Sequence, residues 1–245
     1  MCGAAGLDVV ERRGHPQTTA LLGELATLFG VKVEQSDVER LQGRLTLAKA
    51  FDTVVDVDGV ADAESLDLLF TRVMNGQTIP HVTDEEARCI AKDYNGLPIQ
   101  RRKELKKALL IGNYAYGRLR AENVEEYSKV VLDESALFAE VIALETSPDP
   151  AQLTKRQSYN GWLKVFARAG YSVDSLVDLT SDYEQGLTNI IPTAENMYFL
   201  AKTALREVRG CFSAAPNGAM PIVVRQGTAK TIRSFLGSLT SIVSP

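Results

Sequence analysis

The stretch 47–59 reads Leu-Ala-Lys-Ala-Phe-Asp-Thr-Val-Val-Asp-Val-Asp-Gly, and it constrains the fold more than any other. Asp52 and Asp56 stand four residues apart, about one turn of a helix. Around them lie Ala48, Ala50, Phe51, Val54, Val55 and Val57, apolar almost all the way round. A helix that is hydrophobic on nearly every side is a buried one. Two carboxylates buried on one turn are costly unless they are paired or hold a cation. The fold must therefore answer this stretch with something from elsewhere in the chain.

A second acidic stretch lies far along the sequence, at 173–186. Asp174, Asp178 and Asp182 recur at every fourth position, with no Lys or Arg between the first and the last. Each step of four turns a helix by only about 40°, so the three carboxylates share one narrow stripe. Like charges at this spacing destabilise a helix by roughly 0.2–0.5 kcal/mol per pair. A divalent cation is the natural compensation, because hard cations take carboxylate oxygens. The bland alternative is a solvated face: Val173, Leu176, Val177 and Tyr183 form an apolar arc nearly opposite the aspartates, interrupted only by Thr180. The Asp52 stretch suits that alternative less well.

At 245 residues the chain is long enough for one sizeable core, and a single domain over 1–245 is the simplest division. A net charge of −4 and a pI near 5.4 argue against a general nucleic-acid binder. Cys2, Cys89 and Cys211 are few, odd in number and widely separated, and read as reduced thiols without zinc spacing. Only His15 and His81 are available for imidazole chemistry. No apolar run has the length of a membrane span and no secretory leader is evident, so a cytoplasmic protein is expected. Phosphate-loop, dinucleotide and serine-elbow motifs are absent.

The periodicity is helical throughout. Residues 1–14 read as a loose lead-in, and helices are expected from 16 to 30, 36 to 58, 62 to 73, 83 to 95, and from 98 toward 120. Others are expected over 123–145, 151–169, the acidic stretch, from 192 onward, and 221–242. Only 221–224 hints at a strand. The expected architecture is all-α, a single bundle of about nine or ten helices.

The pattern Asp52-x-x-x-Asp56, followed by Asp58, resembles the first aspartate-rich motif of squalene and phytoene synthases. The run Asp174-x-x-x-Asp178-x-x-x-Asp182-x-x-x-Gly186 is similar to their second motif, with Asp174 where that pattern has Asn. Bacterial large-terpene synthases carry comparable pairs. The resemblance implies a class I terpenoid synthase fold with Mg2+ held between two facing acidic helices by Asp52, Asp56, Asp174, Asp178 and Asp182. Asp52, Asp56, Asp178 and Asp182 are the candidate catalytic residues. A prenyl diphosphate would be ionised, and the carbocation cyclised or quenched by elimination, with release of pyrophosphate.

On that reading Arg118, Lys129, Lys202 and Arg206 are candidates to clamp the diphosphate. Tyr127, beside Lys129, falls on a helix that lines the cavity in the resembling families. Phe51, Tyr159, Trp162, Phe166 and Tyr198 could offer π faces to the cation, against the ordinary role of core packing. Two alternatives stay open: head-to-head joining of two prenyl diphosphates, and a non-catalytic helical binding protein. No nucleic-acid partner and no membrane span are expected, and a homodimer is allowed.

Overall fold

The computed structural model describes residues 14–56, 58–60, 62–112, 118 and 120–219, without the side chains of 14–17, 56, 111 and 112. Among these residues there are eight helices. They are α1 Gly14–Leu28, α2 Gln35–Asp56, α3 Ala63–Met74, α4 Asp84–Gly96, α5 Ile99–Gly112, α6 Val124–Ile142, α7 Pro150–Glu184 and α8 Ala194–Ala214. The all-α expectation holds for them. The only extended pairing among the described residues is an isolated bridge between Ile79 and Val82.

The helix ends follow local chemistry. Thr83 and Glu86 form a reciprocal capping box at α4. Asp62, Asn123, Asp149 and Thr193 each accept a backbone N–H at the start of α3, α6, α7 and α8. Gly186, at φ 74°, closes α7 in a left-handed conformation that a side chain would resist. His81 adopts φ 65° after Pro80, and its Nε2 lies 3.1 Å from Asp58 Oδ2.

Two apolar clusters hold the bundle. The larger joins residues from α1 through α8, including Leu25, Phe51, Val54, Phe70, Leu163 and Trp162. The smaller is built from Tyr127 and Val131 of α6, Leu176 and Leu179 of α7, and Leu200 and Ala201 of α8. α7 is the central element and packs on α6 and α8, while α6 also meets α5 and α2.

The structure corrects several sequence expectations. The helix of 151–169 and the acidic helix are one continuous 35-residue helix, α7, which runs through Gly170. A glycine in a helix interior costs only about 1 kcal/mol. Buried Ala167, Ala169, Ser172 and Val173 hold the helix on both sides of it. The expected helix at 221–242, the strand hint at 221–224 and the lead-in up to residue 13 lie outside the described residues. That merger and the segment beyond 219 account for eight helices where nine or ten are expected. Cys211 is a free buried thiol, whereas Cys89 is disulfide-bonded, against its reading as reduced. No helix among the described residues is long and apolar enough to cross a membrane.

The continuity of α7 can be tested at its weakest point. A Cβ added at Gly170 would meet nothing within 4 Å. Gly170→Ala is therefore expected to raise stability by about 0.5–1 kcal/mol, read by urea denaturation. A loss of stability would mean that the helix breaks at this position.

Candidate functional site

The acidic stripe sits on the last three turns of α7. On the buried side of this segment are Ser172, Val173, Ser175, Leu176 and Leu179, so the helix is anchored with Asp174, Asp178 and Asp182 turned away from the core. The apolar arc inferred from sequence is partly wrong: Tyr183 is 41% exposed, and Leu179 and Ser175 take its place. Asp178 and Asp182 are half-buried, and Asp174 is open to water.

Asp174 nevertheless has a perturbed carboxyl. Burial, then the charges of Asp178, Asp182 and Asp52, push it up to about 6, with Arg118 working in the opposite direction. Asp182 is also raised, by burial first and by Asp178, again with Arg118 opposing. The field of Asp52 on Asp174 is the key relation. Asp52 acts on Asp174 from near the end of α2, although α2 and α7 share little direct backbone packing.

Asp52 itself is not the buried carboxylate that the sequence suggested. Its side chain is 49% exposed and takes a 2.7 Å ion pair from Lys49 Nζ, three residues earlier. The buried side of α2 is Leu47, Ala50, Phe51, Val54 and Val55. Ala48, half-buried, was counted as core because alanine is apolar but commits a helix face to neither side. The side chain of Asp56 lies outside the described residues.

α6 supplies the opposite wall. Arg118 donates from Nε and Nη2 to Glu134 Oε2, at 2.9 and 2.8 Å, and the Glu134 side chain is only 9% exposed. Burial would lower the Arg118 pKa, but Glu134 outweighs it and holds the guanidinium firmly charged. Tyr127 is fully buried beside this pair. Its hydroxyl faces Ser175 without a well-aligned hydrogen bond and has no partner. Burial first, and the nearby Asp182 and Glu134, raise its pKa, against Arg118. Tyr171 completes the wall: burial raises its pKa, its electrostatic neighbours are Arg118, Glu134, Asp52 and Asp174, and its ring lies 5.7 Å from Phe138.

Electrostatic interactions link Asp174 to Asp178, Arg118, Asp182 and Asp52, and Tyr127 to Arg118 and Asp182. The other candidates fall elsewhere. Phe51 is fully buried in the main core. Tyr159 and Trp162 are core residues whose polar atoms are spent on the backbone oxygens of Leu22 and Cys211, both at 3.1 Å. They stand roughly 18–22 Å along α7 from Asp174. Phe166 stacks on Trp162, with 5.1 Å between ring centroids. Lys129 is exposed two residues beyond Tyr127, which places it on another face of α6. Tyr198, Lys202 and Arg206 lie on the outer face of α8, and Arg206 bonds Glu207.

Glu134 and Tyr171 were missed. The stripe Tyr127, Val131, Glu134, Phe138 has helix spacing, so a glutamate in the middle of an apolar face was the available signal. Tyr171 lies three residues before Asp174, on the same side of α7.

The donor set bears on a bound metal. Every candidate ligand is a hard oxygen, and neighbouring carboxylates raise Asp174 and Asp182. Among the described residues no three His, Cys, Asp or Glu side chains converge closely enough for direct chelation. The two best-formed cavities are small and lie by Asp37, Arg44 and Glu145 and by Thr19, Leu22 and Tyr159, away from these acids. No protein-family model, curated protein or solved structure gives a significant match to the chain.

Asp174 yields a signed pH prediction. A carboxyl raised above its unfolded value of 3.8 favours folding only while protonated. Its contribution is whole below about pH 4 and is lost as pH rises through about 6. Asp174→Asn is therefore expected to stabilise the protein at pH 7, by about 1 kcal/mol once screening by water is allowed for. The gain should vanish below about pH 4. Thermal denaturation across that range decides it; a gain independent of pH would place the effect elsewhere.

Proposed function

We propose that the recess between α2, α6 and α7 binds Mg2+ and a prenyl diphosphate, and that the protein ionises this substrate as a class I terpenoid synthase. The observation that supports it is the electrostatic interaction of Asp174 with Asp178 and Asp182 and with Asp52 from a remote part of the chain. Like charges acting on one carboxyl favour a cation from solution.

Asp52 on one side, and Asp174, Asp178 and Asp182 on the other, are the residues that would hold the metal. Once bound, Mg2+ would neutralise the charge that develops on the leaving diphosphate. Arg118, kept charged by Glu134, adds a fixed cation beside Asp174 and Asp182. The Tyr127 hydroxyl is a buried donor without a hydrogen-bond partner and would be free to donate to a ligand oxygen. Tyr171 and Phe138 replace Tyr159, Trp162 and Phe166 as the aromatic faces nearest the acids, and so as stabilisers of a carbocation.

Incubation with prenyl diphosphates of graded chain length and Mg2+, with pyrophosphate and hydrocarbon analysis, tests the reading. Pyrophosphate release is expected, with Asp174→Asn and Asp178→Asn lowering turnover roughly 10²–10³-fold. One substrate consumed per product supports cyclisation or elimination, and two would move the activity to head-to-head joining. No release from any chain length would leave a non-catalytic helical binder.

Tyr127→Phe separates binding from folding. Removing an orphaned buried hydroxyl is expected to leave stability unchanged or raise it by about 1 kcal/mol. Turnover should fall at the same time. A variant that loses stability would show that the hydroxyl serves the core.

A further inference from the structure

The outer face of α8 has no role in the site described above. Tyr198, Lys202, Leu205 and Arg209 fall within about 60° of one another around the helix, and Arg206 lies about 40° further. Tyr198 is 60% exposed and Leu205 36%. Lys202, Arg206 and Arg209 are exposed as well. The buried side of the same helix, with Leu200, Ala201, Thr203, Ala204, Glu207 and Cys211, points the opposite way into the bundle. Ile191, 55% exposed, precedes the helix at the Tyr198 end.

The charge on this face is unbalanced. Glu207, on the inner side, bonds Arg206 and Arg168. Lys202 and Arg209 have no acidic partner among the described residues. Glu195, in the first turn, is the exposed acid of the helix. In a chain of net charge −4, a helix face carrying three cations, a tyrosine and a leucine is a local inversion of sign.

We propose that the outer face of α8 is a docking surface for an anionic lipid bilayer. Charge complementarity selects this occupant. Lys202, Arg206 and Arg209 would meet acidic headgroups, each basic residue contributing to attraction within a Debye length of the surface. Tyr198 and Leu205 would reach the headgroup boundary, where an amphipathic aromatic ring is favoured. Docking would be peripheral, since the apolar side of α8 is already committed to the core. The proposal does not depend on the chemistry of the acidic recess.

Co-sedimentation of the full chain with phosphatidylcholine vesicles, with and without phosphatidylglycerol, tests it. Binding is expected to the anionic vesicles only, and to weaken as salt rises. The double variant Lys202→Ala, Arg209→Ala should bind roughly 25-fold more weakly, about fivefold per cation removed. Both side chains are exposed and unpaired, so an unchanged thermal midpoint is expected in the variant. Tyr198→Ala should weaken binding without altering its salt dependence. Equal binding to neutral vesicles, no binding to anionic ones, or an unaffected double variant would each overturn the proposal. Retention on heparin without vesicle binding would overturn it too, in favour of a soluble polyanionic partner.

Discussion

The arrangement of the bundle depends on one buried ion pair. Arg156 of α7 donates to both carboxylate oxygens of Asp37 of α2, at 2.9 and 2.7 Å, and also to the carbonyl oxygens of Glu145 and Lys32. Burial alone would raise the Asp37 carboxyl, but the Arg156 bond and the Glu34 amide outweigh it and hold it below its ordinary value. A two-pronged bond fixes the rotation of α7 as well as its position. Eighteen residues later, five full turns and about 27 Å on, Asp174 lies on the same face of the helix. On α2, Asp52 follows Asp37 by fifteen residues, about 22 Å. The two helices are tied at this clamp by opposite charges, although they share little direct backbone packing.

The clamp belongs to a wider network. Arg44 bonds Glu145 at 2.7 Å and the carbonyl oxygen of Ala143 at 3.1 Å, and Arg101 reaches the same glutamate at 3.0 Å. Three arginines from α2, α5 and α7 thus converge on the segment between α6 and α7. Buried charges contribute specificity of arrangement more readily than net stability. Here they fix how α6 and α7, the two helices that wall the acidic recess, leave their shared connection. α5 carries five basic residues, Arg101, Arg102, Lys103, Lys106 and Lys107, and the run is partly consumed in this way, since Arg101 is in the network and Lys106 pairs with Asp67. It is not free to meet a phosphate as a block.

What the sequence disclosed and what it hid divide along physical lines. Helix type and caps were readable, because each is encoded in spacing along the chain. The continuity of α7 was hidden because Gly170 resembles a stop, and only buried neighbours on both sides of it decide otherwise. Tyr159, Trp162 and Phe166 looked like a substrate surface because three aromatics on one helix face are equally suited to a core. Their role is settled by Phe29, which packs on Tyr159 and Trp162 from a helix end more than a hundred residues earlier. Glu134 was legible in principle, as an acid inside an apolar stripe. Asp37 and Arg156 were not, because nothing local to either predicts the other.

Two features of the recess oppose folding, and their coincidence is informative. The protein holds Asp174 where its neighbours resist its charge, and it buries the Tyr127 hydroxyl with no hydrogen-bond partner. Each costs stability on its own. Elsewhere Tyr159 finds Leu22, Trp162 finds Cys211 and Arg156 finds Asp37, while the Thr19 hydroxyl and the Nε atoms of Arg44 and Arg156 are, like the Tyr127 hydroxyl, left without a hydrogen-bond partner. Unsatisfied buried groups are therefore shared between the clamp and the acidic segment, and what sets the latter apart is the mutual crowding of its carboxylates at Asp174. On the function proposed above, a hydrated Mg2+ would supply the positive charge that these carboxylates lack.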